Sequence, residues 1–115
     1  MLSTPMPDFG SIVLVPFPFT DLSASKVRPA LVLSRKRAPR QEDVIVCFIT
    51  SRPQPKRAPV IPLPATRSTG LKIPSFARLD KIATLERGIL LGALGRVPLP
   101  TLRKYRSMFF SVFGF

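Results

Sequence analysis

The chain has 115 residues with no His, a single Cys (Cys47) and six carboxylates against 18 Lys and Arg. A zinc site needs His, Cys or carboxylates clustered at ligand spacing, and a nucleophile–His–acid relay needs an imidazole. Neither can be assembled from this inventory, so no cofactor or metal is expected. That removes most hydrolase chemistries at the outset. The lone Cys also excludes an internal disulfide framework and fits a reducing cytoplasm. Arg28 stands between a polar, aperiodic stretch and an apolar run. Thr50 and Ser51 stand where another apolar run gives way to a Pro-rich one, so their hydroxyls can face solvent. Such groups suit phosphate: the guanidinium fork donates two parallel hydrogen bonds to phosphate oxygens and stays charged at neutral pH. Taken alone, an Arg or Thr at a strand end is more often structural.

The charge distribution points the same way. Formal net charge is +12. Between Lys26 and Arg57 nine Lys and Arg face only Glu42 and Asp43, and no acidic residue follows Glu86. A single domain this basic usually meets a polyanion, nucleic acid being the commonest, although an acidic protein partner would satisfy the same field. No apolar run approaches the ~18 residues of a membrane span. The first apolar stretch, from Ile12, is too short and Pro-interrupted for a signal peptide.

The elements that position these groups are short. The sequence has 14 Pro, well above the usual ~5%, which forbids long helices over most of its length. Ile12–Val15 reads as a strand ended by Pro16 and Pro18, which cannot donate to a ladder. The polar stretch Thr20–Lys26 reads as a mobile loop. Pro29–Ser34 and Val44–Thr50 are Val/Ile/Leu-rich, as strands buried on both faces are. A basic loop, Arg35–Arg40, joins them. Ser51–Pro59 is loop, Val60–Leu63 an edge strand because of Pro62, and Thr66–Gly70 a turn. Ile73–Leu79 and Ile82–Leu85 read as two further strands. A long helix over Ile89–Val97 is disfavoured by Gly92 and Gly95. From about Leu99 to Val112 one amphipathic helix is expected, with Leu102, Tyr105, Phe109, Val112 and Phe113 at helical spacing and Pro98 and Pro100 at its start. Phe109, Phe110, Phe113 and Phe115 are more than one helix face can hide, so some should lie at an interface. Five to seven short strands plus a terminal helix, in one domain spanning residues 1–115, imply a mainly β, strongly bent sheet or partial barrel.

Three blocks carry a resemblance: Gly10-Ser11-Ile12-Val13-Leu14-Val15-Pro16-Phe17, Arg28-Pro29-Ala30-Leu31-Val32-Leu33-Ser34, and Ile49-Thr50-Ser51. With Thr69-Gly70-Leu71-Lys72, Pro74-Ser75, Arg78-Leu79-Asp80-Lys81-Ile82-Ala83-Thr84-Leu85 and Leu94-Gly95-Arg96-Val97, the chain resembles the PemK/MazF family of type II toxin–antitoxin growth inhibitors. The resemblance implies an SH3-like small barrel with a C-terminal helix and a cytoplasmic homodimer. It also implies an endoribonuclease that cuts single-stranded RNA sequence-specifically, without the ribosome or a metal, and is silenced by an acidic antitoxin. It puts Arg28 and Thr50, with Ser51 beside Thr50, in the catalytic positions. Phe17, Asp21, Ser23, Ser25, Lys26, Lys56 and Arg57 are expected to bind RNA; the sequence does not identify the base for the 2′-OH proton, Asp21 being the one nearby carboxylate candidate. Position 11 departs from the pattern, holding Ser where the family commonly has Asp; if that Asp only caps the turn a hydroxyl replaces it, and if it positions catalytic groups activity is weakened. The alternative is a non-catalytic nucleic-acid-binding module, or a gyrase-poisoning toxin of the same fold whose aromatic-Gly-aliphatic tail Phe113-Gly114-Phe115 faintly matches.

Overall fold

A computed structural model describes residues 6–17, 26–37 and 40–115. Six antiparallel strands form one curled sheet in the order β4-β5-β3-β2-β1-β6, a half-barrel. They are β1 (Ser11–Phe17), β2 (Lys26–Val32), β3 (Asp43–Thr50), β4 (Val60–Leu63), β5 (Ser75–Glu86) and β6 (Gly92–Arg96). Two short helices, α1 (Leu99–Arg103) and α2 (Arg106–Val112), close the chain.

The Val/Ile-rich strands are buried on both faces, as their composition predicts. Along β3, Val44 and Val46 join Val13, Val15, Ala30 and Val32 in one cluster. Cys47 and Ile49 join Ile12, Leu31, Ala77 and Leu79 in the other. The helices cover the second cluster, with Leu102 inside it and Tyr105, Met108, Phe109 and Val112 packed against it. Cys47 is fully buried, and desolvation pushes its thiol pKa up to about 12, so it serves as a small apolar residue. No helix among the described residues is long and apolar enough to cross a membrane.

The proline rules fail at β1 in an instructive way. The strand does not stop at Val15 but runs through Pro16 to Phe17, pairing Pro16 with Val27 and Phe17 with Lys26 of β2. Leu91 N–H donates to the Leu14 carbonyl at 2.8 Å, so the backbone groups of Leu14 face β6. Pro16, two residues on, faces the same way, but β6 pairing has ended at Leu14. Its missing N–H is therefore not missed. The same pairing extends β2 back to Lys26, which belongs to a strand and not to the preceding loop; positions 20–25 of that loop lie outside the described residues. Pro62 sits in edge strand β4, as expected.

Two expected strands merge. Ser75–Glu86 is one strand, because β3 pairs with it on both sides of a register shift between Cys47 and Ile49. The expected single C-terminal helix is two. The last turn of α1 tightens to i→i−3 bonds, Lys104 N–H to Thr101 O at 3.3 Å and Tyr105 N–H to Leu102 O at 3.0 Å. Tyr105 then leaves the helical basin at φ −103°, ψ 14°. Phe110, Phe113 and Phe115 remain exposed.

Candidate functional site

A second proline opens the site. β2 pairs with β3 only through Ala30↔Phe48, Leu31↔Cys47 and Val32↔Val46. One step further, where Pro29 would have to donate towards β3, the ladder ends. β2 continues on β1 alone, with Val15 opposite Arg28. β3 meanwhile shifts register at Phe48 and follows β5, pairing Thr50 with Phe76. The shared register of β2 and β3, continued past its end, would place Arg28 opposite Thr50. The two side chains thus occupy the mouth of an unzipped strand pair, the kind of irregularity that re-aims residues at functional sites.

A groove of about 870 Å³ occupies this mouth. Arg28, Thr50, Ser51 and Phe17 line it, together with Arg52, Lys72, Ile73, Arg78, Lys81 and Phe48. Five basic residues line the groove, and none of the described lining residues is acidic. The Arg28 side chain is exposed and has no hydrogen-bond or ion-pair partner among the described residues. The Arg52 N–H donates to Thr50 Oγ1 at 3.2 Å. This engages one lone pair and leaves the hydroxyl hydrogen free to donate elsewhere. The Gln54 side chain braces the same turn, donating to the Arg52 carbonyl at 3.1 Å. Phe17 and Phe48 form a tilted pair, ring centroids 5.3 Å apart, with Phe17 43% exposed.

The remaining expected binding residues divide. Lys26 is exposed at the start of β2, paired with Phe17. Lys56 and Arg57 lie on the β3–β4 connection and do not line the groove. Asp21, Ser23 and Ser25 lie outside the described residues. Arg52, Lys72, Arg78 and Lys81 were not expected at the site, although Lys72, Arg78 and Lys81 stand in blocks that carry the family resemblance. Nor was the pairing of Asp80 with Arg78 expected. Arg78 grips Asp80 through two bonds, Nε to Oδ1 at 3.2 Å and NH2 to Oδ2 at 3.0 Å. The Arg78 hydrogen bond holds the Asp80 carboxyl below the usual range. Among the described residues Asp80 is the one carboxylate bonded to a groove-lining side chain.

Turn capping at the entry to β1 falls to Asp8, not Ser11. Asp8 Oδ1 accepts the N–H groups of Phe9 at 2.8 Å and Lys36 at 2.9 Å. These bonds, Lys36 first, lower its pKa. A Ser at position 11 therefore leaves the turn intact.

Fold and groove together define a small curled-sheet domain with a basic, partly aromatic cleft at an unzipped strand mouth. A family model described as "PemK-like, MazF-like toxin of type II toxin-antitoxin system" matches residues 8–112, and the chain belongs to that family. A search of curated proteins by sequence gives no match. Among solved structures, the MazE-MazF complex (Form-III) of Deinococcus radiodurans is 26% identical, with TM-score 0.73, over 96% of this chain and 98% of that one. Mycobacterium tuberculosis toxin MazF-mt6 shares the fold at 24% identity and TM-score 0.72, covering 90% and 96% of the two chains. So does an "endoribonuclease in complex with its cognate antitoxin" from a mycobacterial species, at 21% identity and TM-score 0.72, covering 95% and 96%.

Proposed function

We propose that this toxin is an endoribonuclease that cuts single-stranded RNA sequence-specifically, without the ribosome and without a metal, in the cytoplasm. The observation that carries the reading is the groove itself. It gathers a guanidinium with no partner among the described residues, a hydroxyl with a hydrogen to donate and four further basic residues beside two aromatic rings. Positive charge that tracks phosphates, interleaved with rings that stack bases, is the chemistry single-stranded nucleic acid requires.

The reaction needs little from the protein. The RNA 2′-oxygen attacks the adjacent phosphorus, a new O–P bond forms, and the bond to the 5′-oxygen breaks. The products are a cyclic phosphate and a 5′-OH; the 2′-OH proton leaves and the departing 5′-oxygen gains one. Arg28 stabilises the charge that develops on the phosphorane oxygens, because its fork donates two bonds to them. Thr50 donates its free hydroxyl hydrogen to the same phosphate, and Ser51 stands beside it. A guanidinium that stays charged at neutral pH is no general base. Proton removal falls to solvent or to Asp21, the carboxylate candidate on the β1–β2 connection. Phe17 offers a face to one base, and Lys26 binds backbone at the mouth.

The toxin acts as a homodimer through exposed apolar surface such as Phe110, Phe113 and Phe115. It is held silent by an acidic antitoxin that competes for the positive groove. The reading is tested by mapping cut sites on a long natural RNA in EDTA. Cuts at one recurring short word support it. Intact RNA together with inhibited DNA supercoiling favours the gyrase-poisoning alternative.

A further inference from the structure

The groove is lined by strand ends on β1, β2 and β3, but also by a turn, Gly70-Leu71-Lys72-Ile73. Through Leu71 this turn shares the core cluster of Leu31 and Ile49. It is clasped to β6, and two glycines permit the contact. A Cβ on Gly70 would stand 2.2 Å from the Leu94 carbonyl oxygen, and one on Gly95 2.2 Å from that of Ser68. Gly70 also has φ +72°, which disfavours any side chain. Arg96 N–H donates to Ser68 O at 2.8 Å, and the Ser68 hydroxyl donates to Arg96 O at 3.2 Å.

Thr69 is the hub of the turn itself. It is 1% exposed, and its Oγ1 donates to Pro64 O at 2.7 Å. The same oxygen accepts the N–H groups of Thr66 at 3.2 Å and Leu71 at 3.3 Å. One hydroxyl therefore ties the end of β4 to the backbone that leads into Lys72. Lys72 itself is exposed in the groove and has no hydrogen-bond or ion-pair partner among the described residues.

We propose that Lys72 contacts a backbone phosphate of the bound RNA and that Thr69 is the positioning residue that sets it there. The inference rests on the ribonuclease reading above and adds to it a contact carried by the turn that follows β4. An ammonium is a point charge on a flexible stem, so it suits a phosphate away from the one being cut, where no fork geometry is needed. Its value as a contact depends on where its backbone is anchored.

The test uses the full chain and an RNA oligonucleotide spanning a mapped cut site, with 2′-deoxyribose at the cleaved nucleotide so that binding can be measured without cleavage. Lys72→Ala should flatten the slope of log Kd against log salt by about 0.7, one phosphate contact on a single strand. On the cleavable oligonucleotide it should raise KM several-fold and leave kcat within about twofold. Thr69→Val should raise KM likewise, and Thr69→Ser, which keeps the hydroxyl, should restore it. In the Lys72→Ala background Thr69→Val should add nothing, since the two act on one contact. Should Thr69→Val fail to fold, Ser68→Ala removes only the hydroxyl bond to Arg96 and is run through the same cycle.

An unchanged salt slope and KM in Lys72→Ala, with the wild type cutting normally, would overturn the inference alone. Full additivity of Thr69→Val (or Ser68→Ala) with Lys72→Ala would overturn the positioning role. Wild-type protein that neither binds nor cuts RNA would overturn the ribonuclease reading and the inference with it.

Discussion

Replacing Arg28 by Ala separates chemistry from folding. Arg28 is exposed and lies beyond the last β2–β3 pair, and its side chain makes no hydrogen bond or ion pair among the described residues. Its removal should change stability by less than about 0.5 kcal/mol. For a domain of this size that is a Tm change of no more than ~4 °C. The rate is another matter. Losing one preorganised donor to a developing oxyanion costs roughly 10²- to 10³-fold, or about 2.7–4 kcal/mol of barrier. Arg28 supplies two donors, so at least ~10²-fold is expected in the single-turnover rate on a short RNA. Arg28→Lys should recover little, because an ammonium lacks the fork. The assay is single-turnover cleavage beside a thermal melt of each variant. An Arg28→Ala protein that melts normally and still cuts within a few-fold of wild type would refute the assignment, and toxicity of that variant in cells would do the same.

Thr50→Ala should lose less, since one neutral donor goes and not a charged pair; unchanged cleavage would reduce Thr50 to a strand end. Stability should hold from neutral pH down to about pH 5 and fall below about pH 4. Asp8 and Asp80 both have carboxyls held below their usual range, so the stabilisation they give is present above the unfolded-state pKa and lost as pH falls through the lower folded-state one. A thermal melt series in pH tests this, and a loss of stability already between pH 5 and 7 would contradict it. Gly95→Ala should destabilise by more than ~1 kcal/mol, because its Cβ would meet the Ser68 carbonyl oxygen at 2.2 Å; a wild-type Tm would show that the clasp yields.

Much of the fold was legible because burial dictates it. The Val/Ile/Leu runs at Leu31–Val32 and Val44–Ile49 became strands buried on both faces, and Pro62 marked an edge strand. Pro16 misled because its effect depends on which neighbour its backbone faces, and that is fixed by where β6 pairing stops. The break at Tyr105 carries no Gly or Pro to announce it. Of the candidate site, Arg28, Thr50, Ser51 and Phe17 do share one groove. Lys72, Arg78 and Lys81 reach it through a clasped turn and a long bent strand, contacts between residues far apart in the chain. Lys56 and Arg57 stood out for charge density, but charge density does not say which loop faces the groove.

The central claim is that the RNA cuts itself in a groove that only positions and stabilises it. The direct measurement is the chemistry of the product ends, in EDTA, on an oligonucleotide and on its twin with a single 2′-deoxyribose at the cut. The account predicts a cyclic phosphate and a 5′-OH from the first and no cleavage of the second. Cleavage of the deoxy twin, 5′-phosphate ends, or activity that Mg²⁺ restores through the protein after EDTA has abolished it, would contradict the account.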